Sequence, residues 1–183
     1  VVHMSSGAAG DSEENGELLI TDGGDPYGLL KLDEEKKISE ISKTQIFRIY
    51  ALTGRFIRDP ESFAIGSLIS QAIRNEPIII KATYPVIRSY VSAEDIAKFG
   101  IKWFSSEEMG DLLLAATETI SIYDLARKIT DMFSLEPIIS DIDNSLPENN
   151  YSCNTSIFRQ KLHKYNIGIS SLEKQIMDTY LSL

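Results

Sequence analysis

Apolar positions along the chain fall into two alternating rhythms. Continuous runs of branched and aromatic residues occur as VVHM from residue 1, QIFRIYAL from residue 45, PIIIKA and VIRSYV between residues 77 and 91, LLLAAT from residue 112 and PIISDI from residue 137. Runs this short and this apolar predict strands covered on both faces. Between them lie longer stretches with helical spacing: FAIGSLISQAIRN, SAEDIAKFGIKWF, IYDLARKITDMF, and segments near 155–164 and 171–183. A further helix fits from about Pro26 to Ile41, with Asp25 as its N-cap and Pro26 in the first position. Ser92 caps the SAEDIAKF helix, and Ser121 with Asp124 caps the IYDLARKI helix. Gly66 reads as a close-packing point. Residues 7–26, TGRFIRDPES and DNSLPENN read as loops. Strands alternating with helices predict an α/β fold.

The same patterning assigns side chains. Trp103 and Phe104 are expected in the core. Asp33, Glu34 and Glu35, followed by Lys36 and Lys37, are expected on a solvated helix face. Glu94 and Asp95 are expected to serve the N-terminus of their helix. His163 is expected to pack or to lie on the surface. The opening VVHM has a buried-strand pattern with no preceding loop or cap, which gives the expectation that the N-terminal part of a larger protein is missing. In a parallel sheet such a strand is central. Alone, it would expose one row of unpaired backbone groups and favour association.

Composition narrows the function classes. The 183 residues, 43% hydrophobic and 25% charged, suit one soluble domain, or one and a half. A net charge of −9 with no basic run argues against a nucleic-acid groove. A single cysteine, Cys153, excludes an intrachain disulfide and a cysteine-based zinc site, and points to a reducing, cytoplasmic compartment. No apolar run approaches the length of a membrane span.

The chemistry concentrates in DPYGLLK, residues 25–31. Tyr27 and Lys31 are four apart and share a helix face. An ammonium beside a phenol favours the phenolate, making it a usable general base near neutral pH. The strand ending in Ser5-Ser6 precedes this helix, and the carboxyl edge of a parallel sheet is where α/β folds place ligands. Ser6 could then hydrogen-bond the oxygen from which Tyr27 takes a proton. A phenol base beside a hydride-accepting cofactor oxidises an alcohol to a ketone. SSGAAG itself is not a dinucleotide-binding turn: the acidic, unhelical DSEENG follows it, where the fingerprint requires a helix opening directly.

SSGAAG, DPYGLLK, RIYALTG, FAIGSLISQAIRNEPIII, RSYVSAEDIA and ETISIYDLARKI, in this order, resemble the extended short-chain dehydrogenases, the NAD-dependent sugar-nucleotide epimerases and dehydratases. The resemblance runs along essentially the whole chain. It implies the C-terminal part of a Rossmann-type parallel sheet plus a smaller α/β substrate-binding domain. Residues 1–54, with 92–116 returning to it, would form the first unit, and 55–91 with 117–183 the second. It further implies Ser6, Tyr27 and Lys31 as the catalytic triad, with Tyr27, Lys31 and Tyr50 at the NAD nicotinamide end. Arg88 would hold the substrate's diphosphate. No metal is implied; a nucleotide-sugar substrate and a homo-oligomer, commonly a dimer, are. The family's glycine-rich cofactor loop is not present in this sequence, so the chain alone is expected to be inactive. Leu30, Ala51-Leu52 and Gly10 depart from the family's usual residues.

Two chemistries remain open within the resemblance, and a non-catalytic, associating fragment is a third reading. A 4,6-dehydratase needs an extra acid and base, which the family supplies directly after the serine motif. Here Gly7 and Ala8 follow Ser6, and neither moves a proton. The sequence therefore favours an epimerase passing through a 4-keto intermediate.

Overall fold

The computed structural model describes residues 1–11, 13–14, 17–18, 25–40, 43–135 and 137–183. In chain order the elements are β1 (Val2–Ser6), α1 (Ala8–Asp11), the short antiparallel pair β2 (Glu13–Glu14) and β3 (Glu17–Leu18), α2 (Pro26–Ser39), β4 (Gln45–Ile49) and β5 (Ala51–Thr53). A 3-10 turn, Pro60–Ser62, leads into α3 (Ala64–Ile73), β6 (Ile78–Ile80) and β7 (Val86–Ser92). Then come α4 (Ala93–Phe104), β8 (Leu112–Ala115), β9 (Glu118–Ser121), α5 (Ile122–Phe133), β10 (Ile138–Ser140), β11 (Asn149–Tyr151), α6 (Ser156–Lys164) and α7 (Leu172–Tyr180).

Two sheets organise the molecule. β1, β4 and β8 form a parallel sheet in that order, with β1 running from Val2↔Gln45 to Ser6↔Ile49. Helical crossovers make the parallel arrangement possible: α2 joins β1 to β4. In the second sheet β7 is shared. β11 pairs with its first half, β5 with its second half, both parallel, and β9 runs antiparallel beside it. β6 and β10 form a separate parallel pair. The α/β class expected from the alternation is what the chain adopts.

Each sheet has its own apolar core. Phe47 and Leu113 of the first sheet pack with Phe99 and Trp103 of α4 and with Phe158 and Leu162 of α6. The Phe47 and Phe99 rings meet edge-on at 5.5 Å, and Phe99 lies 5.8 Å from Phe158. Such edge contacts add to the area buried. The second core joins Ile65, Leu68 and Ile69 of α3, Leu125 and Ile129 of α5 and Ile176 of α7. Gly66 is the close-packing point the sequence indicated: a Cβ there would lie 1.9 Å from the carbonyl oxygen of Pro60.

Several local expectations are corrected. The run QIFRIYAL is two strands, because the chain bends at Tyr50 and β4 and β5 enter different sheets. Part of the loop expected over 7–26 is the single helical turn α1. β11 begins inside the expected DNSLPENN loop, and β9 carried no assignment; both gain strand structure by pairing with β7, a long-range effect that local patterning does not carry. Phe104 is 64% exposed, whereas Trp103 is buried. Asp95 lies in the first turn of α4 as expected, and beyond that it is buried and accepts hydrogen bonds from the backbone N–H and the hydroxyl of Ser170, at 2.9 and 2.8 Å. Glu94 pairs with Lys98 and Lys174, whose hydrogen bonds, that of Lys174 first, hold its carboxyl down at about 2. Glu35, expected in solvent, is 4% exposed.

Candidate active site

The carboxyl ends of β1 and β4 and the first turns of α2 assemble the candidate site. Asp25 caps α2, its carboxylate accepting from the Tyr27 N–H at 3.0 Å, and Pro26 occupies the first turn as expected. Tyr27 and Lys31 share a face of α2, with the Lys31 Nζ 5.8 Å from the centre of the Tyr27 ring. The same ammonium donates to Glu34 Oε2 at 2.8 Å, and His3 Nε2 lies 3.7 Å from that oxygen. The Lys31 hydrogen bond holds the Glu34 carboxyl below its ordinary range. An ammonium carries three donors, so Lys31 can serve Glu34 and a neighbouring phenol oxygen together.

One turn beyond Lys31, Glu35 points into the protein. Arg48 of β4 donates to it through Nε, at 3.0 and 3.2 Å to its two oxygens, and through Nη2 at 2.7 Å. The Ser5 hydroxyl of β1 donates to the same carboxylate at 2.5 Å. This buried cluster ties the helix bearing Tyr27 and Lys31 to β1 and β4, the two strands that end at Ser6 and just before Tyr50. The sequence contained a signal for it: an arginine inside an otherwise apolar strand needs a buried partner.

At the strand ends, Ser6 is buried, and its Oγ lies 3.1 Å from the hydroxyl of Tyr151. The Ala8 N–H donates to both oxygens, at 3.3 Å to Ser6 and 3.0 Å to Tyr151. The Tyr50 and Tyr151 rings are 4.8 Å apart. Gly7 makes this approach possible, because a Cβ there would lie 2.7 Å from the Tyr50 ring and 2.9 Å from the Tyr151 hydroxyl. Among the described residues the Ser6 hydroxyl therefore meets Tyr151 and not Tyr27, which is 52% exposed. Tyr151, which no local pattern marked, is the residue sequence reasoning missed.

Arg88 sits on β7. Its Nη1 donates to the carbonyls of Ile87 at 2.7 Å and Asn149 at 2.9 Å. It lines a cavity of about 270 Å³ with Lys81, Tyr84 and Ser67. Burial pushes the Cys153 thiol up to about 11, against the opposing hydrogen bond with Ser89, which leaves little thiolate near neutral pH.

A parallel sheet joined through helical crossovers gives the chain a Rossmann-like α/β fold. No protein-family model and no curated protein matches the chain. Among solved structures it is similar to RMD from Pseudomonas aeruginosa complexed with NADPH, at a TM-score of 0.70 and 18% identity over 99% of this chain and 65% of that one. It is also similar to UDP-glucuronic acid 4-epimerase from Bacillus cereus in complex with NAD, at 0.68 and 17%, covering 98% of this chain and 59% of that one. A third likeness is TunA, an NAD-dependent NDP-hexosamine 5,6-dehydratase involved in tunicamycin biosynthesis, at 0.66 and 14%, covering 98% and 61%. The chain thus spans about three-fifths of the length of these structures and shares their fold.

Proposed function

We propose that this chain is the catalytic-pair and substrate-binding portion of an NAD-dependent nucleotide-sugar epimerase that works through a 4-keto intermediate. The observation that carries this reading is the placement of Tyr27 and Lys31 on a capped helix that Glu35 fastens to the strands ending at Ser6 and Ile49. Tyr27, as a phenolate stabilised by the Lys31 ammonium beside it, takes the proton of the sugar C4 hydroxyl and becomes a neutral phenol, while Ser6 donates to the substrate oxygen. Bound NAD supplies the hydride acceptor. The phosphates are another matter: the glycine-bearing turn after β1 opens into α1, a helix of only four residues. Residues 1–183 alone are therefore proposed not to complete the dinucleotide site, and not to turn over. Gly7 and Ala8 offer no acid or base after Ser6, which favours the epimerase over a 4,6-dehydratase.

The division into a unit of residues 1–54 and 92–116 and a second of 55–91 and 117–183 is likewise proposed. The separate cores support it, although α6 packs in the first core and β5 in the second sheet.

Arg88 is proposed to grip the diphosphate. Among the described residues only its Nη1 is engaged by protein, so Nε and Nη2 are available in a fork that suits phosphate. Arg88→Met should weaken nucleotide-sugar binding by about 1.5–3 kcal/mol, the worth of hydrogen bonds to a charged group, and leave NAD affinity unchanged. Calorimetry with a UDP-, GDP- and ADP-hexose series checks this. Equal affinity in variant and parent would count against the whole substrate assignment.

A homo-oligomer is also part of the proposal. Among the described residues β1 pairs only with β4, so its other edge is open. Beside it Met4 at 45%, Ile101 at 69% and Phe104 at 64% exposure surround an apolar hollow. Open edges and apolar patches together promote pairing between chains. Light scattering on residues 1–183 should find dimers or larger species; a monomer up to the solubility limit would sink the idea.

A further inference from the structure

We infer that Tyr151 is a positioning residue for Ser6, aiming the serine hydroxyl at the substrate and tying it to the strand that holds Arg88. This rests on the reading of Ser6 given above.

The hydrogen-bond directions supply the argument. A hydroxyl has one proton to donate and two lone pairs. The Ala8 N–H can only donate, and it points at both the Tyr151 and the Ser6 oxygen, so each accepts from it. Of the two hydroxyls, 3.1 Å apart, one must donate to the other. If Tyr151 donates to Ser6, the Ser6 proton is turned away from Tyr151 and is left to reach a substrate oxygen. The phenol is the better donor of the two, since it is the more acidic group. Ser6 is thereby held in one rotamer, as a donor, before substrate arrives, and preorganisation of this kind is what makes a hydrogen bond useful in a transition state.

The location of Tyr151 gives the pair a second role. Tyr151 ends β11, where it stands opposite Arg88 on β7, and the Arg88 guanidinium donates to Asn149, the first residue of the same strand. β11 thus links the arginine assigned to the diphosphate with the serine assigned to the sugar hydroxyl. Its Tyr151 end is braced by the Tyr50 ring, and Gly7 leaves room for the contact. A shift in how Arg88 is engaged would be felt at Ser6 through two residues of strand.

A double-mutant cycle tests this. Ser6→Ala, Tyr151→Phe and the double variant are titrated by calorimetry with the UDP-, GDP- or ADP-glucose that binds the parent most tightly, and with the corresponding free nucleoside diphosphate. Steady-state kinetics on the native protein accompany the titrations. Tyr151→Phe is expected to weaken the sugar nucleotide about threefold and to lower kcat about tenfold, with the free nucleoside diphosphate unaffected. In the Ser6→Ala background it should cost nothing further, because its effect runs through Ser6. Losses that multiply, or a loss that extends to the free nucleoside diphosphate, would overturn the positioning role. So would a Tyr151→Phe variant that matches the parent while Ser6→Ala is impaired. If Ser6→Ala itself matches the parent in binding and turnover, or no nucleotide sugar binds the parent, the reading of the site fails and this inference with it.

Discussion

Tyr27→Phe in the native protein is expected to lower turnover by about 10²–10⁴-fold, the usual contribution of a positioned general base. The substitution removes one oxygen and keeps the ring. Because Tyr27 is half exposed, and its backbone N–H rather than its hydroxyl makes the capping bond to Asp25, little stability should be lost. Nucleotide-sugar binding should also hold, since the diphosphate is assigned to Arg88, at a distance from this helix turn. The signature is a fall in kcat with KM nearly constant, which marks an interaction made only in the transition state. Lys31 would still pair with Glu34 in the variant, so the helix surface is preserved. Activity within a few-fold of the parent would remove Tyr27 from the chemistry.

The second large effect is on stability. Arg48→Met leaves the Glu35 carboxylate buried with only the Ser5 hydroxyl of the present cluster to offset its charge. Breaking a buried ion pair from one side costs about 3–5 kcal/mol, because the remaining charge has lost its partner while still shielded from water. Urea denaturation should show a loss of that size. Replacing both partners, Glu35→Gln with Arg48→Met, should recover much of it, since no uncompensated charge remains. The first variant should also lose activity beyond its loss of stability, because the same cluster holds α2, with Tyr27 and Lys31, against β1 and β4. A loss under about 1 kcal/mol would mean that the carboxylate is solvated or neutral in the folded protein, contrary to its burial.

These two effects differ in how far the sequence announced them. Asp25-Pro26 before Tyr27 and Lys31 is a local signal, and α2 begins where that signal says. Ser92 and Ser121 cap α4 and α5 for the same reason: capping is decided within three or four residues. The strands β4, β7 and β8 were legible from their runs of branched and aromatic residues, but cover on both faces held for β4 and not for β8, where Leu112 is 42% exposed. What local reading lost were the features set by distant partners. Glu35 looked like part of a solvated acidic run, and only its partners on the sheet beneath the helix, Arg48 of β4 and Ser5 of β1, draw it inside. Asp95 stands in the first turn of its helix as read, but its bonds to Ser170, 75 residues later, had no local signal. Tyr151 followed a polar turn, and only its pairing beside Arg88 carries it to Ser6. The candidate site was thus half legible: Tyr27, Lys31 and Ser6 came from local pattern, while the residues that hold them in place came from the fold.

Product analysis of the native protein tests the central claim most directly. The protein is incubated with NAD and a series of UDP-, GDP- and ADP-hexoses in heavy water, and the sugars are followed by proton NMR. A Tyr27-dependent epimerase predicts that one of these sugars is converted to its C4 epimer, with no deuterium entering from solvent, because the hydride removed from C4 is returned to it. Conversion to a 6-deoxy-4-keto sugar carrying solvent deuterium at C5, or no conversion of any nucleotide sugar, would contradict the account.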